Sequence, residues 1–259
     1  MALITDLVSY WKMDEASGNM IDANGSNDGT VDCDYGETGK INDAYGFVSA
    51  NTDKVTVPDA TLSTSDFTIA GWIKVPNFTA QMTIFGQYDT DDGYNIIFRF
   101  ETSGRLRIYQ SDGGSASYAE STILSVDTWY YVSATYVTAT KTLTILINGD
   151  AKDTDVGTNE RTVDAGADAT FGTLNGASWF NGIMDEFAVW SRALSEAELL
   201  ELYNGGSGLA YPFTSGTNCQ LNIADDWKDI KAMQINISDS WKAVEGLQIN
   251  IGDSWKTIF

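Results

Sequence analysis

The sequence predicts an all-β protein: a two-sheet antiparallel sandwich of jelly-roll type with one short C-terminal helix, followed by a small region of β-hairpin repeats. Three observations predict it. Short runs rich in β-branched and aromatic residues recur up to position 190, broken by Gly, Asn and Asp clusters. Only one segment carries both helix-start and helix-stop signals. Residues 219–259 repeat, with Trp227, Trp241 and Trp255 spaced by 14.

The clearest strands are "LVSYWK" (7–12), "DKVTV" (53–57), "DFTIAGWIKV" (66–75), "MTIFGQ" (82–87), "YNIIFRFE" (94–101), "RLRIYQ" (105–110), "WYYVSATYV" (129–137), "KTLTILIN" (141–148) and "IMDEFAVW" (183–190). "DTDDGY", "ETSGR" and "NGD" have hairpin-turn chemistry. Many short strands with few helices indicate a sandwich. The helix begins at Ser195, a natural N-cap, and Glu198 completes a capping box. Leu199, Leu202 and Tyr203 fall toward one side, and Gly205 and Gly206 stop it. Residues 1–204 then form the sandwich, 205–218 a linker, and 219–259 three 14-residue hairpin units. A lone hairpin buries little surface, so the units must stack or dock; a cap or spacer and an attachment element are the two readings.

Composition narrows the chemistry. Hydrophobic residues make up 43% and charged residues 20%, which predicts a folded core rather than disorder. The net charge of −21 disfavours nucleic-acid binding, because phosphate contacts need a basic surface. No apolar run approaches the roughly 20 residues of a membrane span, and the residues ahead of "LVSYWKMDE" are expected to carry no secretory signal. Cys33 and Cys219 are too few for a disulfide framework. There is no His, which removes Ser-His-Asp and Cys-His catalysis and His-ligated zinc.

One strand poses a problem. With a period of two, Ile183, Asp185, Phe187 and Val189 share a face, putting a carboxylate among apolar side chains. A buried charge needs a partner: a cation, an Arg, a Lys or backbone amides. In "DANGSNDG", Asp22, Asn24, Ser26 and Asp28 alternate like the start of a calcium loop but lack EF-hand spacing, so a turn-rich surface loop is the competing reading.

"LVSYWKMDEASGN", "AYGFVSANTDKVTVP", "FTIAGWIKV", "DTWYYVSATYVTATKTLTILINGDAKDT" and "GIMDEFAVWSRALSEAELLELYNGG" together resemble the laminin G-like domains of the concanavalin A-like jelly-roll superfamily, over residues 3 to 205. The resemblance implies two face-to-face sheets with the first and last strands near each other, and adhesion or carbohydrate recognition rather than catalysis. It also implies a structural calcium held by Asp185 in the last strand and Asp14 near the first. Asp22 and backbone oxygens around Gly46 are further candidate donors. Calcium takes six to eight hard oxygen ligands, which carboxylates and carbonyls supply. The form with "LVSYWKMDEASGN" at the start and "LYNGGSGLAYPF" after the helix resembles domains of bacteriophage virion proteins, as do the terminal "INIGDSWK" repeats. That implies a virion location, assembly in the host cytoplasm, and partners among other virion proteins or copies of the chain, bound through 219–259.

Three classes compete: a glycan- or protein-binding virion or adhesion protein, a purely structural virion module, and a polysaccharide-cleaving enzyme. The paired-carboxylate Glu-x-Asp-x-x-Glu pattern of retaining glycosidases of this fold does not occur, and "FRFETSGRLRIY" offers only Glu101. A sugar site needs aromatics beside hydrogen-bonding groups. "NGASWFNG" supplies Trp179 and Asn181, with the alternative that Trp179 belongs to the core; Tyr88, Tyr94, Tyr109 and Tyr118 are further candidates. Trp72, Trp129 and Trp190, in strong strands, are expected in the core.

Overall fold

In a computed structural model, described for residues 3–58, 66–89, 93–111, 116–157 and 168–213 and for four short strands beyond residue 233, the chain forms two compact units, Met1–Ser215 and Gly216–Phe259. The first unit is the expected two-sheet antiparallel sandwich. Its first sheet runs β13 (Asp150–Val156), β12 (Thr142–Ile147), β11 (Tyr130–Val137), β6 (Phe67–Lys74), β15 (Gly182–Trp190), β4 (Asp43–Phe47) and β3 (Asp34–Thr38). The second runs β10 (Ala116–Ile123), β9 (Arg105–Ser111), β8 (Gly93–Phe100), β7 (Met82–Asp89), β14 (Ala169–Phe171), β5 (Lys54–Val57) and β2 (Thr30–Asp32). The strand β1 (Leu7–Trp11) pairs with the end of β15, from Leu7 opposite Trp190 to Trp11 opposite Phe187. First and last strands of the sandwich are therefore direct neighbours.

Alternation along these strands sends one face of each sheet inward. Ile69 and Ile73, Ile96 and Phe98, Leu106 and Ile108, and Val132 and Ala134 meet in one core. Phe171 is its hub, edge-on to Trp11, Phe85 and Phe187 at centroid distances of 5.4, 5.1 and 5.2 Å. Such aromatic pairs each add about 0.5–1.5 kcal/mol beyond area burial. Gly71 leaves room for the Phe187 ring, which a Cβ at that position would strike.

The outer face of the first sheet carries a second apolar cluster. Tyr10, Ala70, Trp72, Tyr131, Leu146, Ala188 and Trp190 are covered by Leu199 and Leu202 of the helix α1 (Glu196–Tyr203). The helix starts as expected, with the reciprocal capping box of Ser195 and Glu198, and ends at Asn204 in the left-handed conformation. Past the helix, Tyr211 packs at a tilt on Tyr10, Phe213 meets Tyr10 edge-on, and Phe213 stacks on Trp190. The first half of the expected linker thus lies on the sandwich. Trp129 is half-buried, with the Lys74 ammonium 5.1 Å from its ring centre.

In the second unit, Gln234–Ile237 pairs with Ser240–Ala243 and Gln248–Ile251 with Ser254–Thr257 as two-stranded antiparallel sheets. These are the hairpins of the second and third repeats; the first lies outside the described residues, as do Cys219 and residues 90–92 of the "DTDDGY" turn. Among the described residues no helix is long and apolar enough to cross a membrane.

Candidate functional site

The period-two reading of β15 fails at one residue. Opposite β6 the register shifts between Asp185 and Ala188, and Glu186 adopts φ 53°. This is a β-bulge, an extra residue that reverses the inward and outward senses beyond it. Met184 points into the core before it, and Phe187 and Val189 after it. Asp185 therefore does not share a face with Phe187 and Val189; it lies on the outer side, beneath the loop joining β3 to β4.

That loop supplies its partners. Asp185 Oδ2 accepts from the backbone amides of Lys40 and Ile41, at 2.7 and 2.9 Å. Gly39 is required there, since a Cβ would come within 2.8 Å of Asp185 Oδ2. Burial pushes the Asp185 pKa up to about 7 against the pull of those amides, and the nearby Asp14 charge adds to the rise. Asp185 Oδ1 is buried without a hydrogen-bond partner. Asp14 anchors the same loop, accepting from the Asp43 amide and the Asn42 side chain, both at 3.2 Å. The structure thus brings Asp14 and Asp185 to one loop. Gly46 lies in the β-ladder, opposite Ile183 and Asp34.

Asp22 has a different setting. Its Oδ1 accepts from the amides of Tyr10, Asn24 and Gly25 at 3.0–3.1 Å, and its Oδ2 from Asn27 at 3.1 Å. Four amide donors make it the hub that folds the 20–29 loop against β1. None of its partners is shared with Asp14 or Asp185. Among the described residues no group of three or more His, Cys, Asp or Glu side chains is placed to hold a metal ion.

Trp179 and Asn181 lie on the loop between β14 and β15, which the Thr83 amide ties to Ser178 O at 2.7 Å. Phe180 turns into the core beside Phe47. Trp179 remains half-buried. It lines a cleft of about 450 Å³ together with Ser49, Asn77, Thr79, Gln81 and Asn181. Asn181 also borders a neighbouring cleft of about 250 Å³ that contains Lys74, Asp34 and Asp127. A partly exposed tryptophan among amides and hydroxyls is the chemistry by which sugars are held, the ring against the apolar face of the sugar and the polar groups on its hydroxyls.

A second polar surface covers the outer face of the second sheet. Arg99 from β8, Arg107 and Tyr109 from β9, and Tyr118 from β10 pack as one cluster of cations and rings, with the two tyrosine rings 5.5 Å apart. Arg99 lies 4.6 Å from the Tyr109 ring centre and Arg107 4.8 Å from that of Tyr118. Glu101 Oε1 accepts from Arg99 Nε at 2.9 Å and from the Tyr109 hydroxyl at 2.8 Å, while its Oε2 accepts from Gln81 at 2.7 Å. Glu120 binds Arg107 and Arg105. Although burial works in the opposite direction, the Tyr109, Gln81 and Arg99 hydrogen bonds hold the Glu101 carboxyl below its usual range. Sequence reasoning singled out Tyr109, Tyr118 and Glu101 but missed the arginines. Alternation in "RLRIY" placed them on one face; only the strand order shows that Arg99 and Glu101 join that face.

A two-sheet lectin-like sandwich is the class these features define. The chain belongs to the concanavalin A-like lectin/glucanases superfamily, whose laminin G-like family model matches residues 49–200. Solved structures of similar fold include the receptor-binding domain of the botulinum neurotoxin C/D mosaic serotype (15% identity, TM-score 0.65, 78% of this chain and 52% of that one). The binding domain of Paraclostridial Mosquitocidal Protein 1 is another (19% identity, TM-score 0.63, 79% and 53%). A third is the binding domain of botulinum neurotoxin DC in complex with rat synaptotagmin II (14% identity, TM-score 0.65, 78% and 52%). At these identities the likeness is one of fold, and the chain spans about half the length of each. No curated protein sequence matches the chain.

Proposed function

We propose that the chain is a non-enzymatic binding module of a virion or adhesion assembly. Its sandwich engages glycans at the Trp179 cleft, and residues 219–259 attach it to other virion proteins or to copies of itself. The half-exposed Trp179 beside Asn181, Asn77 and Gln81 carries the glycan reading. The absent paired-carboxylate motif supports binding over hydrolysis. So does the Glu101 carboxyl, held low where a general acid needs a raised pKa. One neighbour of the fold is solved with a protein partner, rat synaptotagmin II, so a protein is the alternative occupant. The phage-like segments and terminal repeats support the virion setting. The test is a glycan array with wild type and Trp179→Ala. Glycan binding lost in the variant supports the reading; an array without any hit favours a purely structural module.

A second reading concerns calcium. The orphaned buried Asp185 Oδ1, with the Asp14 charge beside it, fits one hard cation. Asp185 and Asp14 would hold it, with carbonyl oxygens completing the set, and its part would be to neutralise the pair and pin the β3–β4 loop. Asp22, occupied by four amides, is left to the loop it organises.

A further inference from the structure

We propose that the binding surface extends from the Trp179 cleft across the outer face of the second sheet, and that its ligand is a carboxylated oligosaccharide. This rests on the glycan reading of the cleft and names the class of sugar. Gln81 joins the two regions: it lines the cleft and donates to Glu101 Oε2. From β7, which Gln81 precedes, to β10, which carries Tyr118, three strand spacings amount to about 14 Å. That span suits a chain of several sugars rather than one.

The hydrogen-bond inventory fixes the sign of the ligand. Among the described residues, the two carboxylates that the arginines face are already supplied with donors. Glu101 takes Arg99, Tyr109 and Gln81, and Glu120 takes Arg105 and Arg107. A guanidinium has about five N–H donors, so three of them outnumber the acceptors that two carboxylates provide. The face is thus rich in donors and poor in acceptors. It holds three of the five arginines of a chain whose net charge is −21. Among the described residues of the face, Arg99, Arg105 and Arg107 stand against Glu101 and Glu120, with the Asp153 carboxylate at the sheet edge accepting from the Glu120 amide at 3.0 Å. A planar carboxylate matches the guanidinium fork, and the Tyr118 ring, 47% exposed, offers a platform for an apolar sugar face. The ion pairs and ring stacking hold the arginines in place before any ligand arrives, which lowers the ordering entropy lost on binding.

The experiment measures binding of oligogalacturonate, hyaluronan and oligosialic acid hexamers, each beside its carboxyl-reduced counterpart, to the full chain and to Arg99→Gln, Arg107→Gln, Tyr118→Ser and Trp179→Ala. At least one carboxylated hexamer binds wild type at least tenfold more tightly than its reduced counterpart. Arg99→Gln and Arg107→Gln each erase that preference, and Tyr118→Ser weakens both forms. Tyr118 makes no ion pair on the face, so its variant keeps the fold if loss of an arginine disturbs it; thermal melting checks each protein. Equal binding of carboxylated and reduced forms overturns the proposal, as does wild-type binding by both Arg107→Gln and Tyr118→Ser. If only neutral glycans bind, in a Trp179-dependent manner, the extension fails and the cleft reading stands. If nothing binds, both fail.

Discussion

The Tyr10 hydroxyl on β1 donates to the buried carboxyl of Glu186 at the bulge of β15. The partner Oε1 has no hydrogen bond, and burial pushes the Glu186 pKa up to about 8. One phenol therefore serves one oxygen of a buried acid whose other oxygen has no partner. Tyr10→Phe removes the donor and keeps the ring that packs on Tyr211 and Phe213. Leaving a buried acceptor unmade costs about 1–3 kcal/mol. Chemical denaturation at fixed pH should show a loss of that size, and an unchanged midpoint would mean that Glu186 finds another donor.

If a cation sits on Asp185 and Asp14, calcium and chelator move the melting temperature in opposite directions. Saturation at a hundredfold over the dissociation constant adds about 2.7 kcal/mol. Asp185→Asn should abolish the response. A variant that responds like wild type, or a wild type indifferent to both treatments, removes calcium and leaves backbone amides, those of Lys40 and Ile41 first, as the account of Asp185.

Acid sensitivity should centre on α1. Glu198 is held at a pKa of about 2, chiefly by the Arg192 side chain, whose nitrogens lie 2.7 and 3.0 Å from its oxygens. A carboxyl whose folded pKa is depressed contributes stability above its unfolded pKa of about 4.3, and the contribution fades as pH falls toward 2. Glu198→Gln keeps a capping-box side chain but not the charge. It should be less stable than wild type at pH 7, with a gap that closes between pH 5 and 2. A gap independent of pH would show that the charge is immaterial.

Two truncations separate the sandwich from the repeats. Ending the chain after residue 218 keeps Tyr211 and Phe213 on Tyr10 and Trp190, so the sandwich should melt as in the full chain. Ending it after residue 204 removes those rings along with Leu209 and should lower the melting temperature by several degrees. Both should lose oligomer formation or particle incorporation, measured by sedimentation and by copurification with particles. Assembly of the longer truncation like the full chain would reduce the repeats to a cap.

Much of the sandwich was legible because its central strands bury one face and alternate. All nine strands expected from pattern exist, with no end displaced by more than two residues. Several of the missed strands lack that signal. In β13, "DAKDTDV" is an edge strand exposed along nearly its whole length, with polar residues on both faces. β2 and β14 span three residues each, too short for any period. The bulge was invisible because Glu186 is neither Gly nor Asn, the residues that ordinarily announce a positive φ. Trp179 and Asn181 were legible as an aromatic among amides. Gln81, Asn77 and Arg99 were not, since strand order and loop convergence bring them to the candidate site.

The pairing of Leu7 with Trp190 also has a mechanical side. The chain entering β1 and the chain leaving β15 emerge at the same end of one antiparallel ladder. Tension between those two points would open the ladder from that end like a zipper, rung by rung, instead of shearing all rungs together. The rings of Tyr211 and Phe213 close over Tyr10 and Trp190 at this spot. For a domain tethered through its C-terminal side, they form a latch that load must release before the first sheet can peel.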